Sequence, residues 1–158
     1  MLRLSPQLLD RIRAHAERDY PHECCGILLG RSEPVAEAAP GADDTRRLVL
    51  DVAPMRNAHT ASPQNRFEFD PREHLQVQRR GRERGLEVIG FYHSHPDHPA
   101  RPSIFDLENA SWPGLSYLIV AVAQARAAAA NSFELAGDRS HFIQEELEAG
   151  VSQEGAAA

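Results

Sequence analysis

The chain has 158 residues, a hydrophobic content of 42% and a formal net charge of −6, which together fit one globular domain with its own core. The acidic charge argues against a general nucleic-acid-binding protein, and no apolar run approaches the roughly 18 residues of a membrane-spanning helix. The first residues lack a signal-peptide pattern, so we expect a cytoplasmic protein without nucleic-acid or membrane partners. Cys24 and Cys25 are too few for a disulfide framework and are expected to be small buried residues.

Segments of helical and strand periodicity alternate along the chain. The predicted helices cover residues 6–19, 71–84 and a short stretch from Ser103, and the predicted strands cover 24–30, 48–53, 67–69, 86–95, 115–122, 131–136 and 139–145. Polar residues, proline and glycine predict loops over 32–45 and 56–65. This order predicts an α/β (α+β) sandwich with a single mixed β-sheet flanked by helices. We expect one domain over residues 1–145, followed by a disordered tail over 146–158.

The pattern H-x-H-x7-S-x2-D, formed by His93, His95, Ser103 and Asp106, is the most informative feature of the chain. Side chains at positions i and i+2 of a strand point to the same face, so both imidazoles should emerge together at the end of the strand over 86–95. Catalytic zinc takes three protein ligands and keeps one position for water. His93, His95 and Asp106 are therefore the predicted ligands of one zinc ion, with water as the fourth.

A purely structural interpretation of Ser103 and Asp106 is also open. The spacing is typical of a helix start, with Ser103 as the N-cap and Asp106 three positions into the helix. The two interpretations are compatible, because a capped first turn would hold Asp106 rigidly for a metal.

A zinc hydrolase also needs a group that takes a proton from water. Glu108 lies one turn into the predicted helix and is expected on another face. Glu23 stands immediately before the buried strand over 24–30, where a charged residue is often merely solvated. The residues alone therefore leave the identity of the base open.

Taken together, Glu23 and the motif resemble the JAMM (MPN-plus) metalloproteases of the JAB domain family. The resemblance covers nearly the whole chain and includes the E-x-C-G, F-x-F-D-P, Gly-Phe-Tyr-His-Ser-His-Pro and Pro-Gly-x-x-Tyr-Leu-Ile-Val segments. It implies a cytidine-deaminase-like JAB/MPN fold, zinc bound by His93, His95 and Asp106, Glu23 as general base, and Ser103 as stabiliser of the oxyanion. Ser94, between the ligands, should point to the opposite face and serve the structure.

The short stretch from Asp106 to Pro113 carries no added His or Cys, so the chain is similar to the compact prokaryotic branch of the family. That resemblance implies a ubiquitin-like or sulfur-carrier β-grasp protein with a Gly-Gly tail as partner. The reaction would either release cysteine from a carrier–cysteine adduct during cysteine biosynthesis or remove modifiers from lysines. The tail would bind as an added strand near the zinc, with loops 32–45 and 56–65 as candidates for shaping the groove.

Several alternatives stay open at this point. Two His and one carboxylate also suit Fe(II) oxygenases, although that class does not require Glu23 and Ser103. A non-catalytic MPN scaffold typically loses ligands, and none is lost here. A zinc deaminase is disfavoured because the H-x-E and P-C-x-x-C patterns are absent, and the acidic charge disfavours a DNA-associated relative. The oligomeric state is open, with a homodimer as one option.

Overall fold

A computed structural model describes residues 1–35 and 45–150 of the chain. In chain order the elements are β1 (Leu2–Leu4), α1 (Pro6–Asp19), β2 (Cys25–Pro34), β3 (Thr45–Met55), α2 (Pro71–Glu83), β4 (Glu87–Pro96), α3 (Ile104–Asn109), β5 (Ser116–Ala123), β6 (Arg126–Leu135), β7 (Phe142–Glu145) and β8 (Leu147–Ala149). The strands form one mixed sheet in the order β7-β6-β5-β4-β2-β3-β1-β8. The predicted sandwich around a single mixed sheet is thereby confirmed.

Strand β4 lies in the middle of this sheet. It pairs antiparallel with β2 and parallel with β5, and every residue from Ile89 to Pro96 is buried. Because β4 and β5 are parallel, the chain must cross over between them, and it does so through α3. The crossover brings α3 to the end of β4 that carries the histidines.

The two long helices cover opposite faces of the sheet. Helix α1 packs Leu9 and Ile12 into one core, which includes Tyr92 of β4. Helix α2 packs Val77 into the other core, which includes Phe91. Side chains of β4 therefore alternate between the two layers, and those that share the face of Phe91 point toward α2.

Helix boundaries agree closely with the local sequence signals. The Ser5 side chain accepts a hydrogen bond from the backbone of Leu8, and α1 begins at the following proline, as predicted. The Asp70 side chain caps α2 in the same way, through the backbone N–H of Arg72. Past the end of α2, Gly85 adopts a φ of +71°, which explains why glycine stands where this helix stops.

The strand predicted over 67–69 is wrong. Phe67 and Phe69 are half-buried and Glu68 is exposed, which explains the alternating pattern. The segment lies across a sheet face, with Phe69 against Phe91, and its backbone bonds to the preceding loop, for example from Ala58 N–H to the Glu68 carbonyl at 2.9 Å. Because only one side of this loop is buried, apolar and polar residues alternate along it as they would along a strand.

Other strands are longer than predicted or were missed. Strand β6 begins at residue 126, because Gln124 and Ala125 form a tight two-residue turn with positive φ but lack the usual Asn-Gly signal. Strand β1 was also missed, being only three residues long. Within the predicted loop 32–45, residues 32–34 continue β2 and Thr45 begins β3, whereas 36–44 fall outside the described residues.

The predicted disorder from residue 146 is wrong for residues 147–149. This short segment is β8, which pairs parallel with β1, with Leu2 opposite Leu147. The acidic residues of this segment suggested a disordered tail. In the fold, however, the Glu148 carboxylate accepts a hydrogen bond from Arg3 on the neighbouring strand at 2.8 Å, so the acidic side chain is compatible with a strand. Residues 151–158 of the predicted tail lie outside the described residues.

No helix among the described residues is long and apolar enough to cross a membrane.

Candidate metal and catalytic site

The two histidines of the motif lie side by side at the end of β4, as predicted from the strand period. The Nε2 atoms of His93 and His95 are 3.1 Å apart, and both side chains are buried. Between them, Ser94 points to the opposite face, where its hydroxyl accepts a hydrogen bond from the backbone of Cys24 at 2.8 Å. Phe67 stacks on the His93 ring at a centroid distance of 4.5 Å. The imidazoles are thus held by packing on one side of the strand.

The backbone fixes the orientation of the His95 imidazole. Its Nδ1 donates to the carbonyl oxygen of Pro99 at 2.9 Å, and a carbonyl can only accept. The hydrogen of a neutral His95 ring is therefore on Nδ1, and the lone pair of Nε2 points toward His93 and Asp106. This is the arrangement typical of a histidine that binds a metal through Nε2.

Asp106 completes the group of donor atoms. Its Oδ2 lies 3.2 Å from His93 Nε2 and 3.0 Å from His95 Nε2. The same oxygen accepts from the backbone N–H of Ser103 at 2.9 Å, while the Ser103 hydroxyl accepts from the backbone of Asp106 at 3.0 Å. The capping interaction and the approach to the histidines therefore coexist, because the cap holds Asp106 in place.

The three donor atoms fit one tetrahedral metal ion. Ligands about 2.0–2.1 Å from a zinc ion at tetrahedral angles lie about 3.3 Å from one another. The separations of 3.0–3.2 Å among the two Nε2 atoms and Oδ2 are close to that value. The lone pair of His95 Nε2 also faces a carboxylate oxygen, and a cation between two acceptors relieves their repulsion. Imidazole nitrogen and carboxylate oxygen are ordinary zinc ligands.

Glu23 lies beside this group although it is far away in sequence. Antiparallel pairing places Cys25 opposite His93, and two residues earlier Glu23 faces His95, with Oε1 at 3.8 Å from His95 Nε2. Donor atoms of Glu23, His93 and His95 fall within 4.8 Å of one another and could also hold a metal. Asp106 Oδ2 lies closer to both histidines than Glu23 Oε1 lies to His95, so both carboxylates border the pair of imidazoles, at different distances.

The environment of Glu23 is unusual for a carboxylate. Its side chain is buried and its Oε2 has no hydrogen-bond partner among the described residues. Burial, with the nearby charge of Asp106, raises the pKa of Glu23 to about 9. The Glu23 carboxylate thus has one oxygen, Oε1, close to His95 and a second buried oxygen, Oε2, without a partner among the described residues.

The ligand candidates show the opposite electrostatics. Burial alone would raise the pKa of Asp106, but its close contacts with His93 and His95 and the hydrogen bond from the Ser103 backbone N–H together lower it. Burial lowers the pKa of His93, against the opposing effect of Asp106. Both residues are therefore held in the forms that bind metals, an ionised carboxylate and a neutral imidazole.

Two cavities meet at the site and share Phe105 in their walls. One, of about 600 Å³, borders His93 and Asp106 and is lined mainly by aromatic rings. The other, of about 640 Å³, borders Glu23, His95 and Ser103. Loop 56–65 contributes to both, through His59 in the first and Asn65 in the second. Glu108, as expected, is exposed on α3 and lines neither cavity.

Sequence reasoning missed Asn57, which organises the loop beside Glu23. Its amide donates to the carbonyl oxygens of Glu23 at 3.2 Å and Arg66 at 2.9 Å. Its Oδ1 accepts from the backbone of His59 and of Glu68. A single asparagine in a polar loop gives no periodic signal, so only the folded structure identifies it.

Comparison of the sequence with known proteins agrees with the family resemblance that the motif indicates. The family model of prokaryotic homologs of the JAB domain matches residues 5–135. Desampylase of Haloferax volcanii is 36% identical over 75% of this chain and 78% of its own length. A protein of Thermus thermophilus named as a probable TtuB-protein conjugate cleaving protease is 34% identical over 66% of this chain and 60% of its own length. CysO-cysteine peptidase of Mycobacterium tuberculosis is 32% identical over 76% of this chain and 73% of its own length.

Solved structures agree with these sequence matches. A solution structure of a Desulfitobacterium hafniense protein superposes with a TM-score of 0.78 at 33% identity, over 98% of this chain and 96% of the other. A JAB1/MPN domain protein from Archaeoglobus fulgidus, 19% identical, shares the fold with a TM-score of 0.54 over 94% of this chain and 99% of its own. The resemblance inferred from the motif is confirmed: the chain belongs to the family of prokaryotic homologs of the JAB domain.

Proposed function

We propose that this chain is a zinc-dependent peptidase that hydrolyses the bond after the C-terminal Gly-Gly of a ubiquitin-like or sulfur-carrier β-grasp protein. The observation that carries the proposal is the convergence of His93 Nε2, His95 Nε2 and Asp106 Oδ2 within 3.0–3.2 Å, beside the buried carboxylate of Glu23. His93, His95 and Asp106 would hold one zinc ion, with water in the fourth position. A bound zinc ion supplies a Lewis acid that polarises the scissile carbonyl and makes water easier to ionise.

Glu23 acts as the proton carrier in this proposal. The positive charge of a bound zinc ion would favour the ionised form of Glu23, whose carboxylate takes a proton from the attacking water, and the water oxygen forms the new bond to the glycine carbonyl carbon. As the C–N bond breaks, Glu23 passes the proton to the leaving nitrogen. Its burial and the unpartnered Oε2 support this role, because no neighbouring donor among the described residues competes for that oxygen.

Ser103 stabilises the oxyanion. Its hydroxyl oxygen accepts the bond from the backbone of Asp106, which leaves the hydroxyl hydrogen free to donate. Ser103 is exposed and lies in the wall of the cavity that borders Glu23 and His95. A hydrogen-bond donor in this wall would stabilise the negative charge that develops on the carbonyl oxygen.

Cleavage of lysine-linked modifiers is the second candidate activity. It is favoured by the similarity to desampylase and to the relative named for cleaving TtuB-protein conjugates, whereas the name CysO-cysteine peptidase supports the release of cysteine. A non-catalytic scaffold is disfavoured because all five motif positions are present. We also propose that the enzyme works in the cytoplasm and that loop 56–65, which borders both cavities, helps to shape the groove for the tail.

The direct test uses the purified chain and a β-grasp carrier encoded by the same genome that bears cysteine after its Gly-Gly. Mass spectrometry should detect cleavage after the second glycine, and a chelator should abolish it until zinc is added back. Full activity in protein shown by elemental analysis to be metal-free would contradict the proposal. Absence of cleavage in zinc-loaded protein would exclude this substrate and shift support to lysine-linked conjugates.

A further inference from the structure

The cavity on the Glu23 side carries a cluster of basic side chains that the proposed chemistry does not use. Arg66, His98 and Arg101 line it, and Glu23 is the acidic residue in its wall. The chain as a whole has a net charge of −6, so the basic side chains of this cavity have the opposite sign to the net charge of the molecule. Such a cavity attracts an anionic group.

Within the part of the chain that the structure describes, neither arginine of this cavity holds the fold together by ion pairing. Other arginines are engaged in this way, such as Arg3 with Glu148 and Arg84 with Asp51. Over residues 1–35 and 45–150, neither Arg66 nor Arg101 forms an ion pair with a carboxylate. No described carboxylate therefore competes with a ligand for their guanidinium groups.

Both arginines are nevertheless tied to the catalytic residues through the backbone. The Asn57 amide that donates to the carbonyl of Glu23 also donates to the carbonyl of Arg66. The Pro99 carbonyl that accepts from His95 Nδ1 also accepts from the backbone N–H of Arg101, at 2.8 Å. The position of each arginine is thereby coupled to that of a residue in the candidate site.

Arg66 is further restrained by an aromatic ring. Its guanidinium carbon lies 4.6 Å from the centroid of Phe105, whose ring is shared by the two cavities. A cation–π contact of this kind orients the planar guanidinium and lowers the entropy lost when it binds a carboxylate. Arg66 is therefore partly preorganised at the wall of the cavity.

The leaving group enters the same cavity if the proposed function holds, on which this inference rests. Glu23 passes its proton to the leaving nitrogen, so that nitrogen must lie beside Glu23. In a single released amino acid the carboxyl carbon is only about 2.5 Å from this nitrogen. Its negative charge would then face the arginines, whereas the ε-nitrogen of a lysine within a protein brings no such charge.

We propose that Arg66 and Arg101 form a carboxylate subsite for the leaving group, which selects carriers whose Gly-Gly is followed by one amino acid with a free C-terminal carboxylate. Arginine suits this task because its guanidinium offers paired donors to the two oxygens of a carboxylate.

The test compares three substrates made on the same β-grasp carrier from this genome. The first ends in Gly-Gly-Cys with a free carboxylate, the second ends in the corresponding cysteine amide, and the third joins Gly-Gly to the ε-nitrogen of lysine in an amidated peptide. We would measure kcat/KM by mass spectrometry for the zinc-loaded wild type and for Arg66→Gln and Arg101→Gln. Arg79→Gln is the matched control, because Arg79 is exposed on α2 and lines neither cavity.

We expect the wild type to prefer the free acid over the amide by about tenfold, the lower range for a charge-assisted hydrogen bond at an open site. Each cavity variant should lose most of that preference by slowing cleavage of the acid, with little change for the amide. Arg79→Gln should behave as wild type. A merely structural role would slow both substrates alike, so the acid-to-amide ratio separates recognition from misfolding.

Three results would overturn the carboxylate subsite. The wild type could cleave acid and amide equally well, it could prefer the lysine-linked substrate, or the cavity variants could slow acid and amide by the same factor. These outcomes would leave the proposed peptidase activity intact. If zinc-loaded wild type cleaves none of the three substrates, the proposed function fails on this carrier and the subsite fails with it.

Discussion

Replacing Glu23 by glutamine separates proton transfer from metal binding in the candidate site. Glutamine has nearly the same shape as glutamate, so the buried position can accept it without repacking. It cannot take a proton from water. Because Glu23 Oε1 lies 3.8 Å from His95 Nε2, whereas Asp106 Oδ2 lies 3.0–3.2 Å from both histidines, the three closer ligand atoms stay in place. The variant should therefore keep its zinc and lose its activity.

The expected loss of activity in Glu23→Gln follows from the role of Glu23 as a general base. A positioned general base accelerates a reaction by about 10²–10⁴-fold, which corresponds to roughly 3–5 kcal/mol in the activation barrier. We expect kcat for carrier cleavage to fall by that factor in Glu23→Gln. Zinc content, measured by atomic emission on the same sample, should match that of the wild type.

Glu108→Gln provides the matched control. It makes the same chemical change at an exposed position of α3 that lines neither cavity, so its turnover should equal that of the wild type. Turnover of Glu23→Gln within about threefold of wild type would show that another group carries the proton. A loss of zinc in proportion to activity would instead make Glu23 a ligand, and the assignment of Asp106 as the third ligand would need revision.

Three further predictions concern the metal and the fold. Asp106→Ala removes the oxygen that both histidines face, so zinc affinity should fall at least tenfold in a competition titration with a chromophoric chelator; unchanged affinity would exclude Asp106 as a ligand. In Gly26→Ala the added Cβ would overlap the buried ring of Tyr92, which should lower Tm by roughly 3–10 °C in a calorimetric scan, and an unchanged Tm would refute this packing. Glu23 has a folded pKa of about 9, raised above its unfolded value, so its contribution to stability is complete below about pH 4 and is lost as pH rises toward 9. At pH 7 the free energy of unfolding of metal-free Glu23→Gln should therefore exceed that of metal-free wild type by up to about 3 kcal/mol, seen as a higher unfolding temperature, and the difference should vanish near pH 4; equal stability at both pH values would argue against a raised pKa.

Much of the site could be predicted from the sequence because it depends on short-range rules. The strand period places His93 and His95 on one face, and the capping pattern places Ser103 and Asp106 on the first turn of α3. Both rules act over a few residues and do not require knowledge of the rest of the fold. The same holds for α1 and α2, whose boundaries follow from capping residues and proline.

Short-range rules failed where burial came from distant segments. Phe67 and Phe69 alternate with a polar residue because they pack on β4, and this gave a loop the pattern of a strand. Strands β1 and β8 are three residues each, and they are stable only because they pair with each other and because β1 also pairs with β3. Their sequences contain too few positions to display a period.

Glu23 shows most clearly which features the sequence by itself determined and which features the tertiary structure decided. Local properties suggested only a charged residue at the mouth of a strand, and the family resemblance supplied its predicted role. Its position opposite His95 depends on the pairing of Cys25 with His93, a contact between residues far apart in the chain. The Pro99 carbonyl that orients His95 and the Asn57 amide that holds Glu23 were likewise absent from any local pattern. The sequence determined which chemical groups exist and on which strand or helix they lie, whereas strand pairing and loop packing decided which groups meet, because such contacts depend on the whole fold.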